Sequence, residues 1–305
     1  MDKPKTEEDW WQLDYEIKQL FDGAPIDEAD LFAGRAAEIT RMLDASLARS
    51  KHVVLFGERG VGKTSLSNIF WKRFGKSLAS FVVGRVQANP SQTFDSLWRD
   101  ALEEIEASAA SQGRQELFPG KSSDIDEITP ASLRRLFARA NANAIPVIII
   151  DEYDKLIDDN AKELTANLIK ELYDYSVNVT IILVGVAEDI GKLVEDHESL
   201  NRALVHIPLG RMSDTELREI ITKRTERTAI KFHKDAIWTV VTISMGLPYF
   251  TQTLSKFAAL NAAGQSRLAH ASYSPLRTLH KNASSQPARL SLMLREPLDV
   301  SRRTT

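Results

Sequence analysis

The residues best able to do chemistry lie in Gly57-Glu58-Arg59-Gly60-Val61-Gly62-Lys63-Thr64-Ser65. Gly57, Gly62, Lys63 and Thr64 satisfy G-x-x-x-x-G-K-[ST], the spacing of a backbone loop that cradles phosphate. Gly57, Gly60 and Gly62 permit a course tight enough for successive N–H groups to point at one set of phosphate oxygens. A helix starting at Lys63 would add the positive end of its dipole to the same anion site. The Lys63 ammonium is spaced to bridge β- and γ-phosphates, and the Thr64 hydroxyl to ligate Mg²⁺. The plainer alternative is a Gly-rich turn joining a core strand to a helix.

A second pair of chemical groups, Asp151 and Glu152, ends the run Pro146-Val147-Ile148-Ile149-Ile150. Consecutive β-branched aliphatics predict a strand buried on both faces of a parallel sheet. The carboxyl end of such a strand is where an α/β sheet binds its ligand. Asp151 would then hold Mg²⁺ through water, and Glu152 would polarise an attacking water as general base. A solvated acidic turn after a core strand is the alternative.

These groups need elements that position them. His52-Val53-Val54-Leu55-Phe56 predicts a strand feeding the glycine loop, and LSNIFWKRF predicts a helix leaving it, over about 63–74. SLASFVVGRVQA predicts a second strand, and SQTFDSLWRDALEEIEASAA a helix with Phe94, Leu97, Trp98, Leu102 and Ile105 inward. Residues 110–129 are polar, with Gly113, Pro119, Gly120 and a Ser/Asp run, and read as a mobile surface loop. A helix follows over 130–142. After the acidic pair come a helix in AKELTANLIKELYDYS and a buried strand over about 179–186. Next are a short helix with Ser199 and Arg202, a strand over Leu204–Ile207, and helices over 213–228, 234–245 and 248–263. Capping boxes are written at Ser213-x-x-Glu216 and, for an N-terminal helix over 6–21, at Thr6 and Asp9. That first helix carries Trp10, Leu13, Ile17, Leu20 and Phe21 at helical spacing, the stripe of a docking face.

Composition bounds the function. The chain has 305 residues, enough for one or two domains, and 43% hydrophobic content, enough for a sizeable core. A net charge of −3 gives no argument for a nucleic-acid binder. There is no cysteine, which excludes disulfides and thiolate metal sites and fits a reducing compartment. No segment has the apolar length of a membrane span, and MDKPKTEEDWW is too acidic for a signal peptide, so a cytoplasmic protein without membrane attachment is expected. The charge is uneven. Residues 264–305 hold seven Lys and Arg and two Asp and Glu, leaving 32 and 40 before them, so a net of −8 precedes a tail of +5. The tail reads as a disordered or non-native, out-of-frame end; a basic arm for nucleic acid or acidic lipid is the other reading.

Strand, phosphate loop, helix, strand, two helices, acidic strand, helix, strand, short helix, strand and helical end is the order of a parallel α/β sandwich with a small helical domain. Over residues 25–263 the chain resembles the AAA+/STAND superfamily of P-loop ATPases, in particular its bacterial origin-recognition-like members. The glycine loop matches Walker A, and the apolar run Val147 to Ile150 with Asp151-Glu152 matches Walker B. Phe32, Gly34 and Arg35 match F-x-G-R, with Glu38 slightly late for its acidic place; Gly246 and Pro248 match G-x-P. The resemblance implies an AAA+ type P-loop NTPase core over 25–210, a helical lid over 211–263, a separate N-terminal helix over 1–24, and bound ATP with Mg²⁺. It also implies that the Phe32–Arg35 segment packs beside the adenine and that Gly246 and Pro248 approach the nucleotide from the lid, although a plain helix–helix corner explains Gly-x-Pro as well.

In that superfamily an arginine on the short helix reaches the γ-phosphate held by a neighbouring subunit. Arg202 is the best match and Arg211 the runner-up; the alternative for Arg202 is a surface ion pair with Glu195 or Glu198. The strand over 179–186 ends in Gly185, Ala187, Glu188 and Asp189 without the usual Asn, Ser or Thr that senses γ-phosphate, and the lid offers no clear sensor arginine. Three readings follow. The first is an Mg²⁺–ATP-dependent ATPase, a conformational switch or assembly motor that forms homo-oligomers and acts on an unidentified protein client or effector. The second is a nucleotide-held scaffold with negligible turnover. The third is a DNA-associated loader or transposition-type regulator.

Overall fold

The structure, a computed structural model, describes residues 4–23, 28–72, 80–118, 121–140, 144–186, 198–228 and 230–273. The chain divides into two compact units, one spanning 25–210 and one combining 1–24 with 211 onward.

The unit over 25–210 is built on a parallel sheet. Its strands are β1 (His52–Phe56), β2 (Ser80–Gln87), β3 (Ala144–Asp151), β4 (Thr180–Gly185) and β5 (Leu204–Pro208). They lie in the order β2-β3-β4-β1-β5, every pair parallel. The apolar runs account for the placing. β3 and β4 are buried along their whole length and β1 over four of five residues, which is what central parallel strands covered on both faces require. β2 is at an edge and carries polar residues at alternate positions near its end, Arg85 and Gln87.

Helices cover the sheet: α2 (Ala36–Leu47), α3 (Lys63–Ile69), α4 (Phe94–Ser111), α5 (Pro130–Phe137) and α6 (Asp159–Asp174). Capping residues set several starts. Thr93 and Thr129 each accept from the N–H three residues on, and Pro130 occupies the first turn of α5, where its missing N–H costs nothing. Phe94, Leu97, Trp98, Leu102 and Ile105 of α4 are all buried, as their spacing predicts. Gly84 lets that helix close on β2, because a Cβ there would stand 2.8 Å from the Ile105 backbone nitrogen.

Three expectations change in this unit. The helix after the glycine loop is Lys63–Ile69, shorter than 63–74, and 73–79 lie outside the described residues. The helix expected over 130–142 ends at Phe137. Residues 110–129 are not simply a surface loop: α4 runs to Ser111, two short 3-10 turns follow, and Phe118 and Ile128 enter the core. Phe118 meets Phe137 with ring centroids 5.9 Å apart, so two apolar anchors outweigh the polar composition around them.

The other unit is helical: α1 (Glu7–Leu20), α7 (Asp214–Thr225), α8 (Lys234–Ser244) and α9 (Pro248–Tyr273). Both capping boxes form. Thr6 accepts from Asp9 N–H at 3.1 Å while Asp9 accepts from Thr6 N–H at 2.8 Å, and Ser213 and Glu216 do the same for α7. α1 is not a free-standing element. Trp10, Leu13, Ile17 and Phe21 pack with Ala259 and Ala263 of α9 in one apolar cluster. The buried Arg224 of α7 donates to the Leu20 carbonyl at 2.8 Å, capping the end of α1. α9 also passes the limit of 263 expected for its helix and runs to Tyr273, since Ala-rich sequence there continues the helix through the single Gly264. No helix among the described residues is long and apolar enough to cross a membrane.

Candidate nucleotide site

The site is built where β1 and β3 end. β4 separates these strands in the sheet, so the loop after β1 and the acidic pair after β3 face one another across the end of β4. Val186, just past β4, donates its N–H to Asp154 Oδ1 at 3.2 Å and ties that end to the acidic turn.

The glycine loop leaves β1 at Gly57. A Cβ at this residue would lie 2.2 Å from the Leu209 carbonyl oxygen, so only glycine fits between the loop and the chain leaving β5. Gly60 and Gly62 take φ of 84° and 95°, the left-handed region that favours glycine, and Gly62 is the N-cap of α3. The ensuing N–H groups of α3 have no earlier helical carbonyl, which makes the turn a donor-rich anion cradle. Lys63 lies in it, donating to the carbonyls of Gly57 at 2.8 Å and Glu58 at 2.9 Å. Partial burial lowers its pKa from the usual lysine value, while the charges of Asp154 and Asp151 act the other way.

Asp151 is buried, at 4% exposure, and both its oxygens are engaged. Oδ1 accepts from the Glu152 N–H at 2.9 Å and Oδ2 from Arg85 Nη2 at 2.8 Å. Glu152 sits in the left-handed region at φ 52°, which turns its side chain off the strand. Its Oε2 accepts from both Lys155 Nζ and Gln87 Nε2. Those two bonds, the Lys155 one foremost, hold the Glu152 carboxyl below the ordinary carboxylate range.

Phe32, Gly34 and Arg35 lie just ahead of α2. Phe32 is buried, and Gly34 and Arg35 both have positive φ, 66° and 59°. The buried Arg35 guanidinium bonds the carbonyls of Gly210 at 2.5 Å and Val61 at 3.4 Å and pairs with Glu38 at 3.2 Å. Arg202 is elsewhere. It is exposed on the 3-10 turn Glu198–Arg202, two residues before β5, whose Leu204 pairs with His52 at the start of β1. That is the amino-end rim of the sheet, about five residues of strand at roughly 3.3 Å each from the glycine loop. Within one chain the structure therefore does not bring Arg202 to Lys63. In the helical unit Gly246 takes φ 80° and Pro248 opens α9, while Arg211 donates to the Met245 carbonyl at 3.2 Å. Ala187, Glu188, Asp189 and Glu195 lie outside the described residues.

Four side chains at the site were not among those singled out from the sequence: Arg85, Gln87, Asp154 and Lys155. The signal was present in two places. Arg85 and Gln87 interrupt an apolar strand at a period of two, and Lys155 follows Glu152 at a spacing that lets a turn pair them.

A five-stranded parallel sheet in this order, with a glycine loop after β1 and an Asp-Glu pair after β3, defines a P-loop NTPase of the AAA+/STAND type. The model of the family described as novel STAND NTPase 1 matches residues 24–288, and the chain belongs to that family. No curated protein matches the sequence. Among solved structures, the fold is similar to a Walker-type ATPase of Pyrococcus abyssi, with 16% identity, TM-score 0.58, and coverage of 85% of this chain and 79% of that one. It is also similar to the ORC2 protein of Aeropyrum pernix, solved in ADPNP–ADP complexes, with 15% identity, TM-score 0.59, and coverage of 87% and 73%. The Aeropyrum pernix ORC1 protein, solved in complex with DNA, matches at 16% identity and TM-score 0.53 over 87% of this chain and 72% of that one.

The residues present suit a nucleotide with Mg²⁺. The cradle is one that a Cβ would fill, its lysine is a point charge for phosphate, and a hydroxyl and a buried carboxylate are hard oxygen donors of the kind Mg²⁺ takes alongside phosphate and water.

Proposed function

We propose that the chain binds ATP with Mg²⁺ in the loop over residues 57–65 and hydrolyses it, using the nucleotide to switch conformation or drive assembly. The observation that carries this is the gathering of Lys63, Asp151 and Glu152 at one rim of a parallel sheet, close enough for the two acids to act on the Lys63 charge. Loop N–H groups and Lys63 would bind the phosphates, and Thr64 and Asp151 would hold Mg²⁺, which offsets phosphate charge when bound. Glu152 would orient water and accept its proton. Arg202, exposed and on the far rim of its own chain, suits a role at the nucleotide of a second copy, where an always-charged guanidinium meets the charge developing on phosphate.

The test is steady-state ATP hydrolysis against protein concentration, with Lys63→Ala and Glu152→Gln beside the unmodified chain. Lys63→Ala should lose binding, and Glu152→Gln should bind without turning over. A rate per protomer that rises with concentration and falls in Arg202→Ala supports completion by a second copy. Equal turnover in Glu152→Gln and the unmodified chain would remove Glu152 as base.

One observation favours a second reading, a nucleotide-held scaffold. Glu152 Oε2 is already bonded by Gln87 and Lys155, and an acid so engaged is a poor base until those bonds are given up. Co-purified nucleotide with turnover no faster than Glu152→Gln would decide for it. DNA association, suggested by the ORC1 likeness, runs against the net −8 of residues 1–263. DNA binding that persists without residues 264–305 and weakens steeply with salt would restore it.

A further inference from the structure

The buried Asp151 carboxylate already has a cation, and it comes from another strand. Arg85 Nη2 donates to Oδ2 at 2.8 Å, while Oδ1 accepts from the Glu152 N–H. The sheet sets this placement. Alternate residues of β2 face opposite ways, and Gly84 lies against α4, so Arg85 is turned to the other face. In register Arg85 stands beside Ile149 and Gln87 beside Asp151. The Ala88 N–H donates to the Asp151 carbonyl at 2.8 Å, so the two strands stay paired as far as the acid. The guanidinium therefore reaches the carboxylate from a fixed base.

The two members of the pair differ in exposure. The Asp151 side chain is 5% exposed and that of Arg85 39%. A buried carboxylate needs a partner charge in every state of the site, whereas a guanidinium in contact with water is solvated whether or not it is paired. Asp151 is also one of the oxygen donors suited to Mg²⁺, and it lies near enough to Lys63 to act on that charge. Without metal, an unpaired Asp151 would repel the phosphates that Lys63 and the loop N–H groups attract. Arg85 cancels that repulsion. With Mg²⁺ in place the carboxylate has a second source of positive charge, and the partly exposed guanidinium can turn to water.

We infer that Arg85 is a positioning residue that supplies positive charge at Asp151 when Mg²⁺ is absent, so that the loop over 57–65 holds a nucleotide with or without the metal. The inference rests on nucleotide binding at that loop with Asp151 turned toward the metal. It has a definite sign. Losing Arg85 should harm metal-free binding far more than metal-bound binding, because only the metal-free site leaves Asp151 uncompensated. A bond that did no more than hold β2 to β3 would, when lost, weaken both alike.

Equilibrium binding of a fluorescent ADP to the full chain, in excess EDTA and in saturating Mg²⁺, tests it. The ratio of the two Kd values is the metal dependence. In the unmodified chain EDTA should weaken binding by less than about tenfold. Arg85→Met should raise the ratio by a further factor of about ten or more, through weaker binding in EDTA. Arg85→Gln, neutral but with a donor left for Asp151, should raise it similarly, and Arg85→Lys, which keeps the charge, should restore most of the unmodified ratio. If Arg85→Met does not fold by circular dichroism, Arg85→Gln and Arg85→Lys carry the test. An unmodified ratio in the neutral variants overturns the role of Arg85. So does a ratio in Arg85→Lys as high as in Arg85→Gln, since charge would not then be the cause. Binding by the unmodified chain in Mg²⁺ and none in EDTA also overturns that role, and leaves the nucleotide reading standing. No binding in either condition overturns the nucleotide reading, and the inference falls with it.

Discussion

Arg85 on the edge strand β2 donates to Oδ2 of Asp151 at 2.8 Å, reaching diagonally across the sheet from its register partner Ile149 to the acid two residues on. The guanidinium is partly exposed and the carboxylate is buried, so the pair neutralises a charge that the sheet would otherwise enclose alone. Removing one partner of such a pair costs more than the pair itself contributes, because the remaining charge is left desolvated. Arg85→Met should therefore lower unfolding free energy by about 1–3 kcal/mol, with Arg85→Lys recovering part of it. Urea denaturation reads both; an unchanged midpoint in Arg85→Met would mean that water already satisfies Asp151.

Gly57 gives a steric prediction. An alanine Cβ would be driven into the Leu209 carbonyl oxygen, a backbone atom that cannot turn aside. Relief requires the loop to move off β5, so Gly57→Ala should weaken binding of a fluorescent ADP by at least about tenfold while the fold persists. Gly60→Ala is the companion. It places an alanine at a positive φ of 84° on an exposed turn, so a stability cost of about 1 kcal/mol and a milder loss of affinity are expected. Equal affinities for Gly57→Ala and the unmodified chain would mean that the β5 end yields.

Glu152 gives a pH prediction, which depends on turnover being present. Its carboxyl is held below the ordinary range first by Lys155 and then by Gln87. A base must be ionised, so the acid limb of the pH–rate profile should lie below the usual carboxylate pKa. Lys155→Met removes the principal cause, and the acid limb should move upward in pH while nucleotide affinity at neutral pH is unchanged. An acid limb that stays in place in Lys155→Met would assign it to another group.

What the sequence disclosed, and what it withheld, follows from distance along the chain. Gly57 to Ser65 and Val147 to Glu152 are each one short segment whose spacing and periodicity contain the whole argument, and both form the loop and strand expected. Arg85 and Gln87 gain their meaning only when β2 is paired with β3 in register, placing Gln87 opposite Asp151, and no local pattern specifies that register. The same holds for α1. Its apolar stripe was legible, but its partners Ala259 and Ala263 lie at the other end of the chain, and small residues on a helix advertise no particular neighbour. Composition misled at 110–129, where Phe118 and Ile128 decide the packing against a polar majority.

His52, at the start of β1, supplies a test of the core that is independent of any ligand. It is fully buried beside the central strands; Nδ1 accepts from the Ile181 N–H at 3.1 Å, and Nε2 has no hydrogen-bond partner among the described residues. Burial pushes its pKa from 6.5 down to about 3, with Lys51 adding to the shift. The neutral ring is the folded form. Between about pH 3 and 6.5 the unfolded chain binds a proton at this residue that the folded chain does not, so stability is present above the upper value and declines as pH falls toward the lower. The loss from this group between pH 7 and pH 5 should be about 2 kcal/mol. His52→Asn keeps an acceptor for Ile181 and cannot titrate, so whatever its absolute stability, urea denaturation at the two pH values should show a difference smaller by that amount. An identical pH dependence in His52→Asn would mean that the ring opens to water and protonates in the folded chain.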